Sequence, residues 1–158
     1  MGDKLISNRA LARSRAWIET TERAMADLAD EAVTEGVMKA AGRPCANQIL
    51  AECTEILGRR PETVDELLDV TNRRRREQLG LEHQWMRDGN SAYLRLDDCN
   101  CTLVKAGLGR PNPTHCMCSA GMFETLFSSV CRGSVSVAVL KAIGFGDASC
   151  AFLVHFRE

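Results

Sequence analysis

Apolar residues recur at three- and four-residue spacing through the first third of the chain. Leu11, Trp17, Ile18, Met25, Leu28, Ala32, Val33 and Val37 form this stripe and predict one amphipathic helix over residues 7–40. Gly42, Arg43 and Pro44 end it on this reading. A second helix over 45–57 follows, carried by Ile49, Leu50, Cys53, Ile56 and Leu57, with Gly58 placed to stop it. Thr63 and Glu66 then have the spacing of a capping box and open a third helix that reaches Leu79 before Gly80.

The pattern changes after that. Residues 83–87, the turn Asp88-Gly89-Asn90 and residues 92–96 read as a β-hairpin. A loop containing Pro and Gly spans 107–117, and Ser119 caps a helix over 120–130 that carries Met122, Phe123, Leu126 and Phe127. The β-branched and aromatic runs 134–143 and 149–156 form a second hairpin about Gly144-Phe145-Gly146-Asp147. The expected fold is α+β: N-terminal helices, then a four-stranded, mainly antiparallel sheet with a helix between the two hairpins. One domain of 1–158 is expected, with 1–58 as its helical part and 62–158 as an α+β core holding a cysteine site.

Charge narrows the partners. The net charge of −1 gives no electrostatic reason for a nucleic-acid or membrane partner. No apolar run approaches the roughly 18 residues that span a bilayer. The N-terminal MGDKLISNRALARSRAW lacks the apolar stretch of a secretory signal, which points to a cytoplasmic, reducing setting. In that setting the eight cysteines suggest metal binding or thiol chemistry more than a disulfide framework. Cys45, Cys53 and Cys131 lie among apolar helical residues and read as small core side chains, as does Cys150, which shares a strand face with Phe152, Val154 and Phe156.

The candidate chemistry lies in Cys99-x-Cys101 and Cys116-x-Cys118. Residues i and i+2 of an extended chain project to one side, so two such corners could enclose a tetrahedral metal with four thiolates. Zinc is the first expectation, and an iron–sulfur cluster uses the same ligands. A second reading needs no metal. Cys118 precedes a predicted helix N-terminus, which would lower its pKa and make it a catalytic thiol, with His115 or His83 as base. Within Asn72-Arg73-Arg74-Arg75-Arg76 the four arginines point in different directions, which argues against an RNA-binding stripe. Arg75 alone falls on the apolar face of Val64, Leu68, Thr71 and Leu79. Its stem packs there with the head reaching solvent, or its guanidinium meets a buried carboxylate or an anionic ligand.

The C-terminal half resembles the 4-vinyl reductase or hydrocarbon-binding domain superfamily. The resemblance rests on 121–127, the strand 135–143, the Gly-rich turn at 144–146 and Cys150-Ala151-Phe152. Cys99-Asn100-Cys101, Cys116-Met117-Cys118-Ser119-Ala120-Gly121 and residues 72–77 are similar to a small cysteine-rich group related to aminothiazoline-carboxylate hydrolase-like proteins. The resemblance covers 62–158 and leaves the long first helix unaccounted for. It implies a small-molecule pocket between sheet and helices, often with zinc-binding cysteines. Cys99, Cys101, Cys116, Cys118 and Cys150 fall on the group's cysteine positions, and His115 stands where an aromatic residue is expected. Together these readings give a small-molecule-binding or sensing domain with a cysteine-bound metal. The alternatives are a thiol-dependent hydrolase of a small cyclic amidine or thioester-like carboxylate, in which Cys118 attacks and Arg75 anchors the substrate, and an iron–sulfur redox protein. The long first helix is compatible with a homodimer.

Overall fold

The computed structural model describes residues 7–157; the first six residues of the polar N-terminal stretch, and Glu158, lie outside the described residues. Two long helices open the chain. Ser7 caps α1 (Asn8–Leu28), its side chain accepting from the Ala10 N–H at 3.2 Å. The predicted single helix over 7–40 breaks at Ala29-Asp30, because the Asp30 carboxylate takes the Val33 N–H at 2.8 Å and starts a new helix, α2 (Glu31–Leu57). The Thr34 hydroxyl donates to the Met25 carbonyl at 3.3 Å across this joint.

α2 does not stop at Gly42-Arg43-Pro44 as predicted; it runs through Pro44 and ends at Gly58, whose φ of 73° suits a left-handed C-cap. A mid-helix proline costs about 3 kcal/mol, so packing must outweigh it. The compensating contact is with α6 (Cys118–Ser128). A Cβ on Gly42 would stand 2.1 Å from the Cys118 carbonyl oxygen, and one on Gly121 would stand 2.1 Å from the Lys39 carbonyl oxygen. The two backbones therefore meet with no room for a methyl group on either side. Gly42 is in α2 for its smallness, not as a stop signal.

α3 (Val64–Glu77) begins as predicted, with the Thr63 side chain accepting from the Glu66 N–H at 3.2 Å. Glu66 returns its carboxylate to the Glu62 N–H, one position before the Thr63 N–H of an ideal capping box. Strands β1 (Met86–Asp88), β2 (Ser91–Leu96), β3 (Val135–Lys141) and β4 (Cys150–Phe156) form one antiparallel sheet of order β1-β2-β4-β3. The fold is thus α+β, with helices followed by a four-stranded antiparallel sheet. Two single-turn helices sit in the predicted loop region, α4 (Thr102–Lys105) and α5 (Pro113–Cys116).

The core lies between the sheet and the helices. Ala92, Leu94 and Leu96 of β2 alternate inward beside Cys150, Phe152, Val154 and Phe156 of β4. Phe123 and Phe127 of α6 meet Trp85 edge-on at 4.9 and 5.2 Å between ring centres, and Phe123 meets Phe152 at 4.9 Å. Asn72 holds the Trp85 backbone from both sides, donating to its carbonyl at 3.0 Å and accepting from its N–H at 2.7 Å. Cys53 and Cys150 are buried as expected, but Cys45 is exposed, because continuous α2 turns that position to solvent. The α1 stripe also differs from expectation. Trp17 is 70% and Leu28 86% exposed, and the buried residue of α1 is Glu22.

Replacing Gly121 by Ala tests the α2–α6 contact. Helix propensity alone favours Ala by about 1 kcal/mol, whereas the missing space costs about 3 kcal/mol or more. The expected outcome is a melting temperature lower by roughly 4–8 °C, measured by thermal unfolding. An unchanged or raised melting temperature would mean that the helices can separate freely.

Candidate functional site

The region between β2 and α6 is built from short capped turns. Cys101 occupies the N-cap of α4, with φ −62° and ψ 125°. Asn112 caps α5, accepting from the His115 N–H at 2.8 Å, and Pro113 occupies a first-turn position where no N–H is needed. The 3-10 turn Ile143–Phe145 packs directly on this corner: a Cβ on Gly144 would lie 2.5 Å from the Cys116 sulfur and 2.6 Å from the Asn112 carbonyl oxygen. The Asp147 carboxylate closes that turn by accepting from the Ala142 N–H at 2.9 Å.

Three side chains from distant parts of the chain meet here in series. The Cys101 sulfur lies 3.2 Å from His115 Nε2, and His115 Nδ1 lies 2.5 Å from Glu22 Oε1. Glu22 Oε2 accepts a second bond, from the Asn112 side-chain amide at 2.7 Å. Asn112 thereby orients the acid through its side chain and the histidine through its backbone. With Nδ1–H donating to Glu22, Nε2 faces the thiol. The Cys101 thiol is half-buried, while His115 is 3% and Glu22 6% exposed. The reactive atom is therefore the one nearest solvent.

The electrostatics favour the charged pair. His115 is pushed up to about 9, chiefly by its bond to Cys101 and then by Glu22, against the opposing effect of burial. Burial alone would raise the Cys101 thiol, but the His115 hydrogen bond, with help from the Val104 and Leu103 N–H groups at the start of α4, brings it below its ordinary value. A thiolate beside an imidazolium oriented by a carboxylate has the parts of an activated nucleophile.

The other cysteines behave differently. Burial pushes Cys116 up to about 11 and Cys118 up to about 12, so the expected activation of Cys118 at its helix terminus does not occur. Cys99 is raised by burial as well. The expected metal-binding, zinc-type centre of Cys99, Cys101, Cys116 and Cys118 is also corrected. Among the described residues no group of three or more His, Cys, Asp or Glu side chains is arranged to hold a metal ion. The reason lies in the backbone. Cys116 ends α5 and Cys118 begins α6, so the pair does not lie on the extended corner that was expected. Cys101 meanwhile is engaged by His115.

His83, the other candidate base, pairs with Asp97 at 2.9 Å near the surface. Arg75 is buried, so its head does not reach solvent, and no carboxylate among the described residues receives it. Its Nε donates to the His83 carbonyl at 2.8 Å, and its Nη2 has no partner there. The neighbouring arginines diverge: Arg73 bonds Glu77, and Arg74 pairs with Glu52. Sequence reasoning did not single out Glu22. The available signal was an acid on the inner face of an otherwise poorly buried helix.

The chain belongs to a family of unknown function, DUF6144, whose model matches residues 6–157. No curated protein matches it. Among solved structures it is similar to a trafficking protein particle complex subunit 3 from Naegleria fowleri covalently bound to palmitic acid. That likeness has a TM-score of 0.60 and 11% identity, and covers 94% of this chain and 95% of the other. It establishes a shared fold with a subunit of a multi-protein complex. The expected metal-binding, hydrolase-like assignment meets no metal-holding group among the described residues and a structural neighbour described as a trafficking complex subunit. No helix among the described residues is long and apolar enough to cross a membrane.

The pKa directions predict how thiol reactivity depends on pH. As pH falls from 8 to 6.5, an ordinary thiol with pKa about 8.5 loses thiolate nearly tenfold per unit. Cys101, with its pKa lowered and its partner protonated up to about 9, loses less. Iodoacetamide labelling followed by peptide mass spectrometry should show Cys101 outpacing exposed Cys45 by a factor that grows as pH falls. Parallel pH profiles for the two thiols would refute the ion pair.

Proposed function

We propose that this protein is a covalent acyl acceptor that takes an acyl group onto Cys101 from an acyl thioester. The observation that carries this reading is the Cys101–His115–Glu22 series, with contacts of 3.2 and 2.5 Å. In the step, the Cys101 thiolate attacks the carbonyl carbon of the donor and the new carbon–sulfur bond forms. The donor's carbon–sulfur bond breaks, and the leaving thiolate takes the Nε2 proton of His115. The products are a Cys101 thioester, a free donor thiol and neutral His115, still oriented by Glu22. This keeps the thiol-dependent chemistry read from the sequence but moves the nucleophile from Cys118 to Cys101.

Two further observations support an acyl group as the cargo. A groove of about 340 Å³ runs between α1 and the turn that follows α4, with Leu11, Ala12, Ala16 and Ala106 giving it apolar walls. Its Glu19 lies one helical turn from Glu22, and Ala106 follows the short helix that Cys101 caps. The fold also occurs in a protein that holds palmitic acid covalently.

The test is incubation of the reduced full-length chain with long-chain and short-chain acyl–coenzyme A, followed by mass spectrometry with and without hydroxylamine. The expected result is one hydroxylamine-labile acyl group on the peptide spanning 96–105, absent in Cys101→Ser. His115→Gln, which keeps a donor for Glu22 but not the base, should slow acylation by about 100-fold. Acylation centred on exposed Cys45 and indifferent to both substitutions would sink the proposal.

A further inference from the structure

Cys101 does not stand alone on its loop. Cys99 lies two residues before it, in a stretch outside any helix or strand that leads from the end of β2 to the N-cap of α4. Consecutive Cα atoms are about 3.8 Å apart, so two residues separated by one other fall close to the about 4.4–6.8 Å that a disulfide spans. The Cys101 backbone N–H bonds the Cys99 sulfur, and the two thiols lie within electrostatic reach of each other. Both thiols are half-buried rather than sealed in the core. The other cysteines are held by the fold: Cys150 is buried in β4, and Cys116 is pinned under Gly144. Cys118 is fixed in the close α2–α6 contact through its own carbonyl. Exposed Cys45 is held on the rigid helix α2.

We infer that Cys99 and Cys101 form a dithiol pair with a second activity, thiol–disulfide exchange, whose substrate is a disulfide. This rests on the reading of Cys101 as the nucleophile. In the first step the Cys101 thiolate attacks one sulfur of R–S–S–R, forming a Cys101–S–S–R bond and expelling RS⁻, which takes the Nε2 proton of His115. In the second, the Cys99 thiol gives its proton to His115 and attacks the Cys101 sulfur. The Cys99–Cys101 bond forms, and a second RS⁻ leaves and recovers that proton. One disulfide is reduced to two thiols, and the protein dithiol is oxidised to one disulfide. Asn100 is the single residue that the bridge would enclose.

The experiment uses the reduced full-length chain with 2-hydroxyethyl disulfide as the probe, at pH 7. Both cysteines fall on one tryptic peptide, 96–105, so the bridge reads as a loss of two hydrogens from it. In the wild type that peptide should carry the bridge and no 2-mercaptoethanol. In Cys99→Ser it should keep a stable mixed disulfide on Cys101, with one equivalent of 2-mercaptoethanol fewer released than from the wild type. A wild type that also keeps the mixed disulfide, or that bridges Cys101 to Cys45, would overturn the dithiol pair while leaving the Cys101 nucleophile intact. A wild type that reacts at Cys45 and leaves Cys101 unmodified would overturn both.

Discussion

The site depends on burying one carboxylate. Glu22 is 6% exposed, and an unpartnered carboxylate at such depth would be expensive to keep. Its two oxygens are taken by His115 and by the Asn112 amide, so its burial holds only while α5 keeps both donors in place. Glu22 is also the buried residue of α1, a helix that otherwise leaves Trp17 and Leu28 in solvent. Docking of the first helix and orientation of the histidine are therefore one interaction. Asn112 serves both ends of it, and the 3-10 turn packed around Gly144 fixes Asn112 from behind.

A second constraint carries this arrangement to the rest of the molecule. α2 and α6 meet backbone to backbone at Gly42 and Gly121, which sets where Cys118 and the start of α6 can lie. α5 ends two residues earlier, so the position of His115 follows from that crossing. The far end of α6 inserts Phe123 and Phe127 among Trp85, Phe152 and Phe156. The aromatic core thus steadies a helix whose other end positions the site, and the sheet contributes through β4 without supplying any of the three reacting groups.

Much of the fold was legible because its signals are local. Thr63 with Glu66, the turn at Gly89 and the alternation through Phe152, Val154 and Phe156 each depend on neighbours a few positions away. The sequence was misleading where a local signal had a distant purpose. Gly42 and Pro44 read as a stop, yet Gly42 serves contact with α6. Asp30 was passed over as a helix start, although its carboxylate breaks the apolar stripe. The site was half visible: the cysteine-bearing loops were identified and His115 was named as a base. Cys118 was favoured over Cys101 as the candidate thiol because extended corners were expected where α5 and α6 are helical. Glu22 could not be paired with His115 from spacing alone, since 93 positions separate them.

That separation bears on how the protein folds. The Cys101–His115 contact spans 14 positions, whereas the contact to Glu22 closes a loop of 93. Closing the longer loop costs more chain entropy, and contacts of such high order form late. During synthesis Glu22 emerges first and waits for α2, α3 and the first hairpin before its partner exists. Until then the histidine lacks its orienting acid, so its alignment is a property of the assembled chain and not of any local segment.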